Sequence, residues 1–84
     1  MSLYIVVYHA HSSMKIVAIN YLDIYIEIAE RFPNRIKAIY LRSVNHKKKL
    51  LRVKSLLGNY KATPALLVES SEQAIAHAKK NGFI

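Results

Sequence analysis

No cysteine occurs among the 84 residues. That absence removes a disulfide framework, thiolate zinc ligation and a cysteine nucleophile together. It leaves the redox compartment open, with a cytoplasmic location as the default expectation. Glycine stands only at Gly58 and Gly82, so there is no glycine-rich phosphate loop. With two prolines besides, no linker or low-complexity tract breaks the chain. Long apolar runs are missing too: "LYIVVY" is short, and "MSLYIVVYHAHSS" lacks a basic n-region. Neither a signal peptide nor a membrane span is expected. Acid is scarce, limited to Asp23, Glu27, Glu30, Glu69 and Glu72.

What the chain has instead is positive charge. Its formal net charge is +8, and no acidic residue falls between Glu30 and Glu69. That interval holds Arg42, Lys47, Lys48, Lys49 and Arg52, the candidate contacts for phosphate or another anion, with Lys54 and Lys61 beyond them. A positive surface there favours phosphorylated ligands or acidic phospholipid headgroups. Nucleic acid is less expected, because the six tyrosines do not interleave with the basic run as a stacking platform requires. A 52% hydrophobic composition in so short a chain implies apolar surface covered by a second copy, hence a homo-oligomer.

The pattern predicts one α/β domain over residues 1–84. "LYIVVY" reads as a strand. "MKIVAI" reads as a second strand or as the start of a long helix. "NYLDIYIEIAERF" is an amphipathic helix with Tyr21, Tyr25, Ile28 and Phe32 on the apolar stripe, Asn20 as its cap and Pro33 as its stop. "RIKAIYL" is a strand. "NHKKKLLRVKSLLGN" is a helix capped by Asn45, with Leu50, Val53 and Leu57 inward and Gly58 at its end. "PALLVE" is a short strand. "SSEQAIAHAKKNG" is a helix with capping-box spacing from Ser70 to Gln73, an apolar stripe of Ala74, Ile75 and Ala78, and Gly82 as its terminator. Helix and strand alternate from Asn20 onward, which predicts a small, mainly parallel sheet with helices packed on it.

Catalytic groups are not evident. His9 and His11 form an H-x-H in a predicted loop, and neither they nor His46 or His77 have carboxylates or thiols at ligand spacing, so no metal site is expected. His77 reads as a packed or surface histidine. The serines lack a nucleophile-elbow context, and Asp23, Glu27 and Glu30 occupy an exposed helical face. Glu69 alone follows a strand at its carboxyl end, where acidifying a helix N-terminus is a sufficient role.

Three stretches, "DIYIEIAERFPNRIKAIYLRSV", "TPALLVESSEQAIAHA" and "KKNGFI", resemble the closing segment of the phosphatidate phosphatases typified by the actin-patch enzyme. The resemblance implies a haloacid-dehalogenase-like, Rossmann-type fold over residues 21–84, preceded by a divergent strand region at 1–20. That family uses an aspartate nucleophile and a second aspartate in a D-x-D motif, with Mg²⁺ completing the site and a G-D-S-G stretch supplying a metal-binding aspartate, and neither motif occurs here. Only Arg42 carries over residue for residue, followed by Ser43 where the family has aspartate. The resemblance therefore implies a non-catalytic, truncated relative, in which Mg²⁺ would enter only through a complementing half-domain. An alternative is a thioredoxin-like binding module, for which the Thr63-Pro64 pair before a strand is the mark and a long helix after "LYIVVY" the requirement.

Overall fold

The computed structural model describes residues 4–57 and 63–84. The expected stop at Gly58, the position of Lys61 and the start of the first strand at Leu3 lie outside them. The elements are β1 (Tyr4–Ala10), β2 (Ser13–Ile19), α1 (Leu22–Arg31), β3 (Ile36–Leu41), α2 (Val44–Leu57), β4 (Ala65–Leu67) and α3 (Ser71–Lys80).

Residues 13–19 form a strand, which resolves the ambiguity of "MKIVAI" against a helix. Only His11 and Ser12 separate β2 from β1, and the two pair antiparallel from Ala10↔Ser13 to Tyr4↔Ile19. A two-residue connection can return a strand only to its antiparallel neighbour. His11 makes the turn in the left-handed region, at φ 35°. His9, expected in a loop, is instead paired with Met14 inside the hairpin.

The sheet order is β2-β1-β3-β4. β3 lies antiparallel to β1, and only β3 and β4 are parallel. The sheet is therefore mixed and mostly antiparallel, not the mainly parallel Rossmann-type sheet that the alternation predicted. The physical reason is the hairpin. It turns the chain back before the first crossover, so α1 passes over β1 and delivers β3 parallel to β2 and opposed to β1. The alternation was read correctly from α1 onward, and the β3-α2-β4 unit is the parallel crossover that it implied. A thioredoxin-like order fails at the same point, because β2 stands where a helix should follow β1.

Helices pack on both faces of the sheet. On one, Tyr4, Val6, Ile19, Ile36, Ile39 and Leu41 meet Tyr25, Ile28 and Ala29 of α1 and Leu50 of α2. On the other, Val7, Ala38 and Tyr40 meet Ala74 and Ala78 of α3. A bulge between Val7 and Tyr8 shifts the register so that Ile36 and Ala38, two apart in sequence, serve opposite faces.

The helix ends follow local chemistry, with corrections. α3 starts as expected: Ser70 Oγ accepts a bond from the Gln73 amide at 3.1 Å, while the Gln73 side chain accepts one from the Glu69 amide at 2.6 Å. It closes with Gly82 at φ 71°, whose amide bonds to Lys79 O as that of Phe83 bonds to Ala78 O, a Schellman arrangement. α1 is capped by Tyr21, not Asn20, and Tyr21 makes no side-chain capping bond. Lying before the helix, Tyr21 leaves the apolar stripe and is 71% exposed. α2 begins two residues earlier than an Asn45 cap would place it, because Ser43 Oγ accepts the capping bond, from the Asn45 amide at 3.2 Å.

α3 approaches the sheet through small residues: Ala38, Ala74 and Ala78 are fully buried. Enlarging one should overpack the interface. Ala74→Leu is expected to destabilise the protein by about 1–3 kcal/mol, measured as a lower urea midpoint by circular dichroism. An unchanged midpoint would mean that α3 is not seated as described.

Candidate anion-binding site

The N-termini of α1, α2 and α3 follow the carboxyl ends of β2, β3 and β4, so all three point toward one end of the sheet. Helix N-termini carry partial positive charge. At this end lies a pocket of about 280 Å³ lined by Tyr4, Asn20, Tyr21, Leu22, His46 and Lys49. Its walls come from the β2-α1 junction and the first turns of α2, with Tyr4 from the start of β1 between them. The Tyr4 and His46 rings are 5.6 Å apart and tilted by 50°. No carboxylate lines the pocket. Asp23 sits in the first turn of α1 but is exposed and outside the lining.

The five predicted anion contacts do not form one cluster. Lys48 and Arg52 occupy the solvent side of α2, and Arg42 is exposed at the exit of β3. Lys49, one hundred degrees further round the helix, reaches the pocket beside His46. Lys47 falls on the opposite flank, half-buried, where its charge acts on Lys54. The sequence order of these lysines concealed that division. His46, set aside as a metal ligand, and Tyr4, read only as strand, are the pocket residues that sequence reasoning missed. A period of 3.6 places His46 and Lys49 on one side of α2, which was the available signal.

Lys54, counted among the surface cations, is buried, and its ammonium donates to the Thr63 carbonyl. Burial and repulsion from Lys47 push its pKa down. Of the inward set on the same helix, Leu50 is fully buried and Val53 half-buried. On the other face, the Tyr40 hydroxyl shares a 2.9 Å hydrogen bond with Nδ1 of His77, which lies on the exposed side of α3. Burial raises the Tyr40 and Tyr4 phenols above their ordinary values.

Among the described residues no group of three or more His, Asp or Glu side chains could hold a metal ion. No helix among them is long and apolar enough to cross a membrane. No cis peptide bond occurs among them either, Thr63-Pro64 included.

These shifts set an alkaline stability profile. The lowered Lys54 pKa means that, in the window below its ordinary 10.5, the unfolded chain binds more protons, so stability rises with pH there. The raised tyrosine pKa values act in reverse: above the ordinary 10.0 the unfolded phenols ionise first, and stability falls. Lys54→Met should flatten the rising limb, and Tyr40→Phe should shallow the falling one, in urea titrations at a series of pH values. An unaltered rising limb in Lys54→Met would show that this lysine is solvated.

No family model, curated protein or solved structure matches the chain.

Proposed function

We propose that this protein is a non-catalytic α/β module that binds phosphate-bearing ligands through the positively charged end of its sheet. The observation that carries the reading is the union of α2 cations with a carboxylate-free pocket: Lys48, Lys49 and Arg52 stand on the helix whose first turns wall that pocket. Metal-assisted phosphoryl transfer needs converging carboxylates to hold the cation. Asp23, Glu27 and Glu30 lie on the outer side of α1, while Glu69 and Glu72 lie beyond β4, each exposed. This arrangement supports binding without turnover. Descent from a phosphatidate-phosphatase-like segment is part of the proposal and rests on the three sequence stretches alone. A cytoplasmic setting is also part of the proposal and rests on the default expectation for a chain without cysteine or a signal segment.

The test is a titration of the purified chain, followed by amide chemical shifts, with inorganic phosphate, with phosphatidate in neutral-lipid vesicles, and with duplex DNA, at about 50 and 200 mM salt. The expected result is saturable binding of phosphate or phosphatidate that perturbs α2 and weakens modestly with salt. Affinity for DNA alone, falling by about a thousandfold or more between the two salts, would instead mark a nucleic-acid binder. Absence of any saturable response would overturn the reading.

Self-association belongs to the same proposal. β2 is an edge strand with Ile16 40% exposed, its second face left uncovered where α3 packs over β1 and β3. Exposed apolar edges favour pairing between copies. Ile16→Lys is expected to convert a dimer to a monomer in sedimentation equilibrium without altering the circular dichroism spectrum. A wild-type chain that sediments as a monomer at high concentration would remove this part of the proposal.

A further inference from the structure

We infer that the pocket between the first turns of α1 and α2 is a specific seat for a phosphomonoester, with Lys49, His46 and Tyr4 as its phosphate contacts and Tyr21 at its rim. The inference rests on the anion-binding reading and narrows it to one site and one ligand class.

Three independent features converge there. The first is the start of α1, a ten-residue helix whose cap, Tyr21, offers no side-chain acceptor. The Ile24 amide is taken by Tyr21 O at 3.2 Å. The Leu22 and Asp23 amides belong to the first-turn donors that an α-helix cannot satisfy internally. Most helices answer this with Ser, Thr, Asp or Asn at the cap. Here the adjoining space is a pocket instead.

The second feature is Tyr4. Its side chain is only 3% exposed, yet it lines the pocket. Among the described residues no hydrogen bond reaches its hydroxyl, and burial alone raises its pKa. The ring of Tyr4 is buried, but its hydroxyl is not one of the enclosed unpartnered oxygens and so opens onto the pocket, whereas that of Tyr40 is engaged by His77. A ligand oxygen in the pocket would supply a partner.

The third is the charge of the walls. Lys49 and His46 come from α2, Asn20 adds an amide, and no acid faces them. Hydrogen bonds from a cation to an anionic oxygen are about twice as strong as neutral ones. Donors from a lysine, an imidazole, a phenol and helix amides approach from different elements, which suits a tetrahedral oxyanion better than a flat carboxylate. At about 280 Å³ the space exceeds what one phosphate fills, being about nine water volumes. The surplus is bordered by Leu22 and the exposed Tyr21 ring, an apolar and aromatic rim suited to the ester group.

Calorimetric titrations with phenyl phosphate, inorganic phosphate and benzoate, on the wild type and three variants, decide the matter. Phenyl phosphate should bind at one site and more tightly than phosphate, with benzoate weakest. Lys49→Gln should weaken phenyl phosphate about tenfold and Tyr4→Phe about threefold, reflecting one charge-assisted and one neutral hydrogen bond. The double variant Lys48→Gln/Arg52→Gln, which removes cations of the outer face, should change affinity by less than about twofold. All three variants spare the core volume, and a cooperative urea transition with a midpoint no lower than the wild type's confirms that each folds. Binding lost in the outer-face variant but kept in Lys49→Gln and Tyr4→Phe would overturn the pocket and leave the anion-binding reading standing. Benzoate binding as well as phenyl phosphate would overturn the ligand class. No binding of any of the three would overturn both.

Discussion

The two-residue turn at His11 and Ser12 is the constraint on which the architecture depends. It fixes β2 against β1 in a seven-pair antiparallel register and leaves the chain at an outer edge of the sheet. From that edge every later strand is laid down in one direction: β2 to β3 across β1, then β3 to β4. Two crossovers of the same hand that advance the same way must lie on the same face. α1 and α2 accordingly share a core with Tyr4, Ile39 and Leu41, while α3 covers the other face. Tyr40 and His77 link that second layer to the sheet by a polar contact in an otherwise apolar seam.

The same constraint determines where a site can form. In doubly wound sheets the ligand crevice opens where successive crossovers diverge to opposite faces. Here they do not diverge, so that crevice has no counterpart and the carboxyl end of β3 by itself holds no cleft. The opening lies instead between two neighbouring helices on one face, floored by the first residue of β1. Because β1 runs against its neighbours, its start rather than its end reaches this edge, and Tyr4 pairs there with Ile19 and Leu41. A mainly parallel sheet would have put a strand's carboxyl end in its place.

What was legible in the sequence tracks how local each determinant is. Both ends of α3 were readable because Ser70, Gln73 and Gly82 satisfy backbone groups within a few residues of themselves. The β3-α2-β4 unit was readable from alternation. The hairpin was not, since "HAHSS" contains neither Gly nor Asn, the residues that normally mark left-handed turn positions. His11 adopts that conformation anyway, held by seven paired residues on either side. Strand direction then followed the turn, and one unreadable residue reversed the expected pairing of β1 and β3. The site was half legible for a related reason. Charge is visible in sequence but its direction is not, so five nearby cations read as one patch although Arg42 lies at the exit of β3 and α2 turns Lys48 and Arg52 to solvent, Lys49 to the pocket and Lys47 to the opposite flank.

That distribution has an energetic consequence. Lys47, Lys48 and Lys49 occupy the first turn and a half of α2, where the dipole disfavours cations by about 0.3–1 kcal/mol each. Lys54 adds the desolvation of an ammonium on the same helix, offset by one carbonyl bond. In a chain of 84 residues, whose total stability is expected on the order of several kcal/mol, such a set is not small. An anion seated beside Lys49 offsets part of this repulsion and also engages first-turn amides of α1. Its binding free energy is therefore drawn from the destabilisation of the empty fold, and by mass action occupancy raises stability in step with affinity. Cations placed against the helix dipole, which add nothing to folding, are in this view the source of the ligand's attraction.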